Sequence, residues 1–335
     1  MQPKSFSIIV PTYNSESSIK LCLSRIIQEA KNLKYEIIIV DDASSDHTEK
    51  IISNFKKKIR FIKLKKNKGV GYVRNYGTKI ALYKTLIFID SDIIVSRKSI
   101  KNLIKNLYKN KNIGSVGALP KVANLTKNNW SSNFVCLKSC YENDFLKNVF
   151  SSNIQSEFCA INKNFLKKIG GWKFYDSAGG EEYELGYRIN LFKKKNLLIH
   201  NAKYKTYYSN LYLRFKKIIS RTDKYISIIL KKKKFDTQGS FSTSTQAFSS
   251  VLTLIIFGLI LLNFFYYHKI NILLLTIGII IQFVIEYKFL IFAKKYFGLK
   301  MLIFSLFGMQ IINIGIILGT FKFCIKKIIK FTFIK

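Results

Sequence analysis

The chain has 335 residues, 48% apolar and 15% aromatic, which is enough to bury a large core and too hydrophobic for a disordered chain. Three prolines and 17 glycines exclude collagen-like and linker-dominated architectures. Its 56 basic and 19 acidic residues leave a net charge of +37; part of it goes with abundant Lys, Ile, Asn, Phe and Tyr, which share AT-rich codons, and the rest points to an anionic partner: nucleic acid, a phosphate-bearing substrate or an acidic membrane surface.

Residues 6–10 form an apolar run that reads as a strand, followed by a loop with Pro11. Residues 16–31 repeat Ile19, Leu23, Ile26, Ile27 and Ala30 at helical spacing, with Asn14 or Ser15 as the expected cap. A second strand, 36–40, ends in Asp41-Asp42, and Ser44 or Ser45 is expected to cap the helix that runs to about Phe55. Residues 59–64 read as a third strand and 72–83 as a helix entered from a glycine-containing loop. The fourth strand, 86–89, runs into Asp90-Ser91-Asp92. Strands alternating with helices predict an α/β domain with a mostly parallel central sheet. Ligands of such sheets bind at the carboxyl ends of strands, so the loops after strands one, two and four are the candidate site.

The last third has a different character. Beyond Asp236 the only carboxylate is Glu286, and residues 247–267, 270–293 and 301–321 are apolar runs each long enough to cross a bilayer, which takes about 20 residues. About three transmembrane helices are expected over 247–321. Before them, 211–240 is a basic amphipathic segment carrying Arg214, Lys216, Lys217, Arg221 and Lys224, then lysines at 231–234; it suits the interface of an anionic leaflet. Those lysines, with Lys294, Lys295 and Lys300, favour the inner side. The basic tail, 322–335, conflicts with three crossings, because Lys322, Lys326, Lys327, Lys330 and Lys335 then lie outside; an even number of crossings removes the conflict. The basic residues cluster beside the apolar runs and no nucleic-acid module is recognisable, which disfavours nucleic acid as the partner. The N-terminal apolar run is too short for a signal peptide. The five cysteines lack CxxC spacing, and only three histidines accompany them. A reducing compartment without structural zinc or a disulfide framework follows, with the α/β part, residues 1–210, in the cytoplasm of a multi-pass inner-membrane protein.

Two nucleotide signatures are missing. The loop after strand one reads Pro11-Thr12-Tyr13-Asn14 rather than GxGxxG, and GxxxxGK[ST] does not occur. Carboxylates stand at the strand ends instead. Asp90 and Asp92, two apart past a buried strand, suit a divalent cation such as Mg²⁺ or Mn²⁺, with diphosphate oxygens and water completing its shell. Asp41 and Asp42 either accept hydrogen bonds from a base or ribose or cap the following helix.

Five segments in order make the resemblance specific: Ile8-Ile9-Val10-Pro11-Thr12-Tyr13-Asn14, Val40-Asp41-Asp42-Ala43-Ser44-Ser45-Asp46, Asn67-Lys68-Gly69-Val70-Gly71-Tyr72-Val73-Arg74-Asn75, Phe88-Ile89-Asp90-Ser91-Asp92, and Gly170-Gly171-Trp172 ahead of Gly180-Glu181-Glu182-Tyr183-Glu184-Leu185-Gly186-Tyr187-Arg188. Over about residues 5 to 210 the chain resembles a family 2 glycosyltransferase of the GT-A fold. The resemblance implies that Pro11 and Tyr13 line a base pocket, that Asp42 contacts base or ribose, and that Arg74 approaches the nucleotide or its diphosphate. It puts Asp90 on the ribose and the metal, Asp92 on the metal, and Glu182 as the catalytic base with Glu181 its neighbour; Glu stands where Asp is commoner, so the pair stays open. Arg188, at i+4 from Glu184, reads as a structural ion pair. The region where relatives keep a histidine reads Tyr204-Lys205-Thr206-Tyr207-Tyr208, and His200 reads as a strand residue. No QxxRW follows, which favours transfer of one sugar over polymerisation.

The implied reaction is inverting transfer from a nucleotide-diphosphate sugar to a hydroxyl of a lipid-linked or cell-surface saccharide. A polyprenyl-phosphate acceptor is the alternative, since a phosphate is already ionised and needs no base. A non-catalytic membrane scaffold keeping the fold is the second alternative. A sugar-nucleotide pyrophosphorylase would want a glycine-rich loop with a basic residue after strand one, and that loop has neither.

Overall fold

Alternate residues of a strand face opposite sides of its sheet, so a strand covered by helices on both faces must be apolar throughout. The first strand comes close to that condition, its buried Ser7 donating its hydroxyl to Glu36 Oε1 at 2.5 Å, and a sheet grows from it. The computed structural model describes residues 5–55, 58–126, 129–144, 149–174, 179–232 and 243–332. The elements begin with β1 (Ser5–Thr12), α1 (Ile19–Ala30), β2 (Lys34–Asp41), α2 (Thr48–Ser53), β3 (Arg60–Lys63), α3 (Val70–Ile80) and β4 (Thr85–Ile89). They continue with β5 (Ile94–Val95), α4 (Ser99–Leu107), β6 (Ile113–Asn124), α5 (Trp130–Asp144), β7 (Val149–Ser151), β8 (Phe158–Asn162), α6 (Lys163–Lys168), α7 (Glu181–Leu191) and β9 (Lys195–Thr206). Three helices follow: α8 (Leu211–Lys232), α9 (Ser244–Phe265) and α10 (Lys269–Thr332).

The chain forms two compact units, Met1–Leu125 with Asn143–Tyr207, and Thr126–Glu142 with Tyr208–Lys335. In the first, Phe6, Ile8 and Val10 of β1 share a buried cluster with Ile19, Leu23 and Ile26 of α1. Ile9 faces the other way, into a cluster with Val73 of α3 and Trp172. The strand order is β3-β2-β1-β4-β8-β6-β9-β5, with β7 on β9. β3, β2, β1 and β4 are parallel, as the alternating pattern predicts. Beyond β4 the sheet is mixed: β8 is antiparallel to β4 and β6, β9 is parallel to β6, and β5 and β7 are antiparallel to β9. Parallel order brings the ends of β1, β2 and β4 to one edge, where the loops they feed meet.

The expected caps are corrected. α1 starts at Ile19 with Ser18 before it and no side-chain cap, while Ser15 Oγ bonds Ser91 Oγ at 2.7 Å. α2 starts behind His47, and Asp46 Oδ1 accepts the Thr48 N–H at 3.0 Å. Ser44 serves the loops instead: its hydroxyl accepts the Asn14 N–H at 2.8 Å.

In the second unit, α9 and α10 are long and apolar enough to cross a membrane. α10 is two helices joined at Gly298, whose φ of 78° and ψ of −176° no helix contains; glycine carries that conformation without strain. Three apolar helical segments thus correspond to the three runs read in the sequence. Their packing explains the lone Glu286. Its Oε1 accepts from Gln282 Nε2 at 2.5 Å and from Ser249 Oγ at 3.3 Å, and Asn313 Nδ2 donates to Ser249 Oγ at 3.0 Å. A buried polar seam thus joins α9 to both parts of α10. The side chains of lysines 231–234, Lys330 and Lys335 lie outside the described residues.

Candidate active site

Three loops at the carboxyl edge are tied to one another before any ligand is considered. Asn14, at φ 45°, accepts the Ser45 N–H on its Oδ1 at 2.9 Å, linking the loop after β1 to the loop after β2. The Ser15–Ser91 contact links it to the loop after β4. Asp41, fully buried, holds the β2 loop by accepting the Ser44 N–H at 2.9 Å. Between these loops lies a cleft of about 660 Å³, lined by Pro11, Tyr13, Asp42, Asp90, Asp92 and Glu181 among others.

Asp42 is 4% exposed, and both its carboxylate oxygens are engaged: Oδ1 accepts the Lys68 N–H at 2.7 Å and Oδ2 the Gly69 N–H at 2.8 Å. It shapes the glycine loop ahead of α3 as well as lining the cleft. Tyr13 is 52% exposed and offers an open ring face to the cleft, the surface an aromatic base stacks on.

Arg74 does not reach into the cleft. It is 2% exposed, with Nη2 donating to Asp90 Oδ1 at 2.8 Å and to the Ser156 carbonyl at 3.3 Å. Nη1 stands 3.8 Å from Glu181 Oε1, and the guanidinium lies over the Trp172 ring at 4.6 Å. Asn75 fastens Trp172 by a donor and an acceptor bond to its backbone, at 2.7 and 2.9 Å. The arginine expected on the diphosphate is therefore the buried counter-charge that organises two carboxylates. Removing it leaves those carboxylates uncompensated in a low-dielectric site, a loss of about 3–5 kcal/mol. Arg74→Met is expected to lower the thermal midpoint of the full chain in detergent by several degrees. An unchanged midpoint with lost nucleotide affinity would make Arg74 a donor contact instead.

Asp90 and Asp92 are brought together. Burial pushes the Asp90 carboxyl up to about 6, against the pull of Arg74, and Glu157 raises it further. Burial pushes Asp92 up to about 7, with the charges of Asp90 and Glu157 adding to it and a hydrogen bond to Thr206 opposing. Two hard oxygen donors whose ionised forms repel each other suit a divalent cation, which relieves that repulsion. Among the described residues no group of three His, Cys, Asp or Glu side chains is placed to hold a metal. The fit is thus to a cation shared with a diphosphate and water. His200 lies exposed on β9, as a strand residue.

Glu181 and Glu182 open α7 behind Gly180, whose φ of 97° turns the chain into the helix. Carboxylates in a first turn are favoured by the helix dipole. Glu181 is 6% exposed and its Oε2 accepts the Gly179 N–H at 2.7 Å. Glu182 is half-buried, accepts the Gly180 N–H at 3.2 Å, and sits beside the cleft rather than on its wall. Arg188 pairs bidentately with Glu184, at 2.8 and 2.6 Å, and donates to the Gly171 carbonyl at 2.7 Å, the structural role expected of it.

Two groups escaped the sequence reading. Glu157, at the start of β8, accepts the Tyr204 O–H at 2.6 Å, and its carbonyl accepts the Asp90 N–H at 2.9 Å. Only the antiparallel β4–β8 register sets it against Asp90, and no local pattern announces that pairing. Thr206 did leave a signal, since it falls in the segment where the expected histidine is missing.

The family model described as glycosyl transferase family 2 matches residues 7–170. Poly-beta-1,6-N-acetyl-D-glucosamine synthase of Staphylococcus epidermidis is 27% identical over 203 residues, 57% of this chain and 47% of that protein. The uncharacterized protein MJ0544 of Methanocaldococcus jannaschii is 30% identical over 186 residues, 52% of this chain and 78% of that protein. The chain thus spans about half the length of the synthase. Among solved structures, a mannosyltransferase of Pyrobaculum calidifontis in complex with GDP-Man and Mn²⁺ superposes with a TM-score of 0.56 at 16% identity, over 97% of this chain and 88% of that one. That likeness is one of fold, and the fold is GT-A.

Proposed function

Starting from a chain that belongs to glycosyl transferase family 2, we propose that this protein is a membrane-anchored inverting glycosyltransferase. It moves one sugar from a nucleotide-diphosphate sugar to a hydroxyl of a lipid-linked or cell-surface saccharide. The observation that carries the reading is one cleft holding an exposed aromatic ring, two adjacent strand-end carboxylates, and the first turn of a helix that opens with two glutamates. The Mn²⁺ and GDP-Man of the superposed mannosyltransferase, and the polymer named for the S. epidermidis relative, support the donor class.

Tyr13 and Pro11 hold the base, and Asp42 fixes the loop beneath it. Asp90 and Asp92 would hold a divalent cation, which would supply neutralising charge to a departing diphosphate. Glu182 accepts the acceptor's proton as the hydroxyl attacks the anomeric carbon. Glu181 is given a positioning role instead, because its Oε2 accepts the Gly179 N–H and its Oε1 stands 3.8 Å from the Arg74 guanidinium. It keeps Arg74, and through it Asp90, in place. In the same reading the apolar helices cross the membrane an even number of times, because Lys326 of the tail pairs with Asp223 of α8 at 2.7 Å; α8 lies on the anionic face, and the catalytic unit is cytoplasmic.

One assay tests activity and sidedness together. Nucleotide sugars do not cross membranes, so nucleoside diphosphate release from a donor panel is measured in inside-out and in sealed right-side-out vesicles. Release from at least one donor, confined to the inside-out preparation and stopped by a chelator, is expected. Release from right-side-out vesicles would reverse the orientation, and no release from any donor in open vesicles would remove the enzyme reading.

A further inference from the structure

Asp90 and Glu157 stand opposite each other across an antiparallel pair. The β4–β8 register runs from Thr85 against Asn162 to Ile89 against Phe158, and the Asp90 N–H continues it by donating to the Glu157 carbonyl at 2.9 Å. Opposite residues of such a pair project to the same face, with Cβ atoms about 5 Å apart, and like charges placed there repel. The face is set by the neighbours two residues away: Phe88 and Cys159 lie in the cluster with Val73 and Trp172. On that face Asp90 meets Arg74. Arg74 is shared between Asp90 and Glu181, and among the described residues no cation pairs with Glu157.

Glu157 is exposed, yet its carboxylate is held. Oε2 accepts the Tyr204 O–H at 2.6 Å, and the Tyr204 oxygen accepts from Gln155 Nε2 at 2.8 Å. A solvated glutamate is free to swing away from two acids; this one is tethered toward them by a phenol on β9. Its charge reaches both Asp90 and Asp92 and raises the carboxyl of each. The side chain is not on the wall of the cleft, so its path to an ion between Asp90 and Asp92 runs through water. A small divalent cation held by one or two carboxylates keeps several waters, and those waters donate hydrogen bonds outward.

We propose that Glu157 is an outer-sphere ligand of the cation assigned to Asp90 and Asp92, its tethered carboxylate accepting from that ion's water and adding a third negative charge. It is a positioning residue, touching neither the nucleotide nor the reacting atoms. Partners of this kind are worth about ten- to a hundredfold in metal affinity.

The test is Mn²⁺ titration of the full chain in detergent with excess UDP and, separately, GDP, free Mn²⁺ being read by its paramagnetic resonance. Glu157→Gln is expected to weaken Mn²⁺ binding by about tenfold or more. Its thermal midpoint in a chelator is expected to be no lower than the parent's, because a like charge opposite Asp90 is gone. Glu157→Asp, which keeps the charge, is expected to lose less affinity than Glu157→Gln. Unchanged affinity in Glu157→Gln overturns the proposal, and so does an equal loss in Glu157→Asp. A lowered midpoint of Glu157→Gln in the chelator also overturns it, because the residue then serves the fold. The proposal rests on the cation reading of Asp90 and Asp92, and the two fail distinguishably. A parent chain that binds no Mn²⁺ with either diphosphate removes both; Mn²⁺ binding that is lost in Asp92→Asn and unchanged in Glu157→Gln keeps the first and overturns the second.

Discussion

Asp92→Asn is expected to cut sugar transfer by about a hundredfold or more while leaving the fold at least as stable as before. The loss would follow from removing one of the two carboxylates proposed to hold the cation, whose charge stabilisation would be several kcal/mol at about 1.4 kcal/mol per decade of rate. The stability side has the opposite sign. Burial, Asp90 and Glu157 push the Asp92 carboxyl up to about 7. A carboxyl whose folded value lies above its unfolded one costs stability once pH rises past the unfolded value. Neutral Asn removes that cost without losing a partner for Thr206. The measurements are turnover with saturating Mn²⁺ and the thermal midpoint in a chelator. Normal turnover of Asp92→Asn in the chelator would remove the metal from this site.

Glu182→Gln is expected to lower turnover by about a hundredfold to ten-thousandfold, the usual loss for a general base, with donor affinity kept. Gln retains the shape and a carbonyl oxygen for the Gly180 N–H but takes no proton. Glu181→Gln acts elsewhere: it removes half the counter-charge of a buried guanidinium, so its main effect falls on stability and its effect on turnover is smaller. Turnover, donor affinity and thermal midpoint are measured for both variants. If Glu181→Gln is the inactive one, the base is the carboxylate on the cleft wall. If neither impairs turnover, the acceptor is already ionised, and a polyprenyl phosphate replaces the hydroxyl acceptor.

The parallel half of the sheet was legible because its signal is local. Each of the first four strands is an apolar run followed by a polar loop, and all four form within a few residues of the expected bounds. Strand-end carboxylates were legible for the same reason, since parallel order alone brings their loops to one edge. The mixed half was not, because β8 meets β4 across some seventy residues and nothing near β4 records that partner. That pairing also supplies Glu157. Caps failed where a side chain had a stronger use: Ser15 is drawn to Ser91, and Ser44 to Asn14, because the loops close on each other. Arg74 shows the same limit. Its place in the motif marked it as important, but only Trp172, brought in from nearly a hundred residues away, makes a buried platform that turns it toward carboxylates.

Thermal unfolding of the full chain in detergent, with UDP or GDP and with Mn²⁺ or a chelator, tests most directly whether this cleft is a nucleotide and metal site. A ligand at a hundred times its dissociation constant adds about 2.7 kcal/mol to a folded state that alone binds it. One of the two diphosphates is expected to raise the midpoint in Mn²⁺, to lose that effect in the chelator, and to lose it in Asp92→Asn. Stabilisation indifferent to the chelator and to Asp92→Asn, or none by either diphosphate, would contradict the assignment.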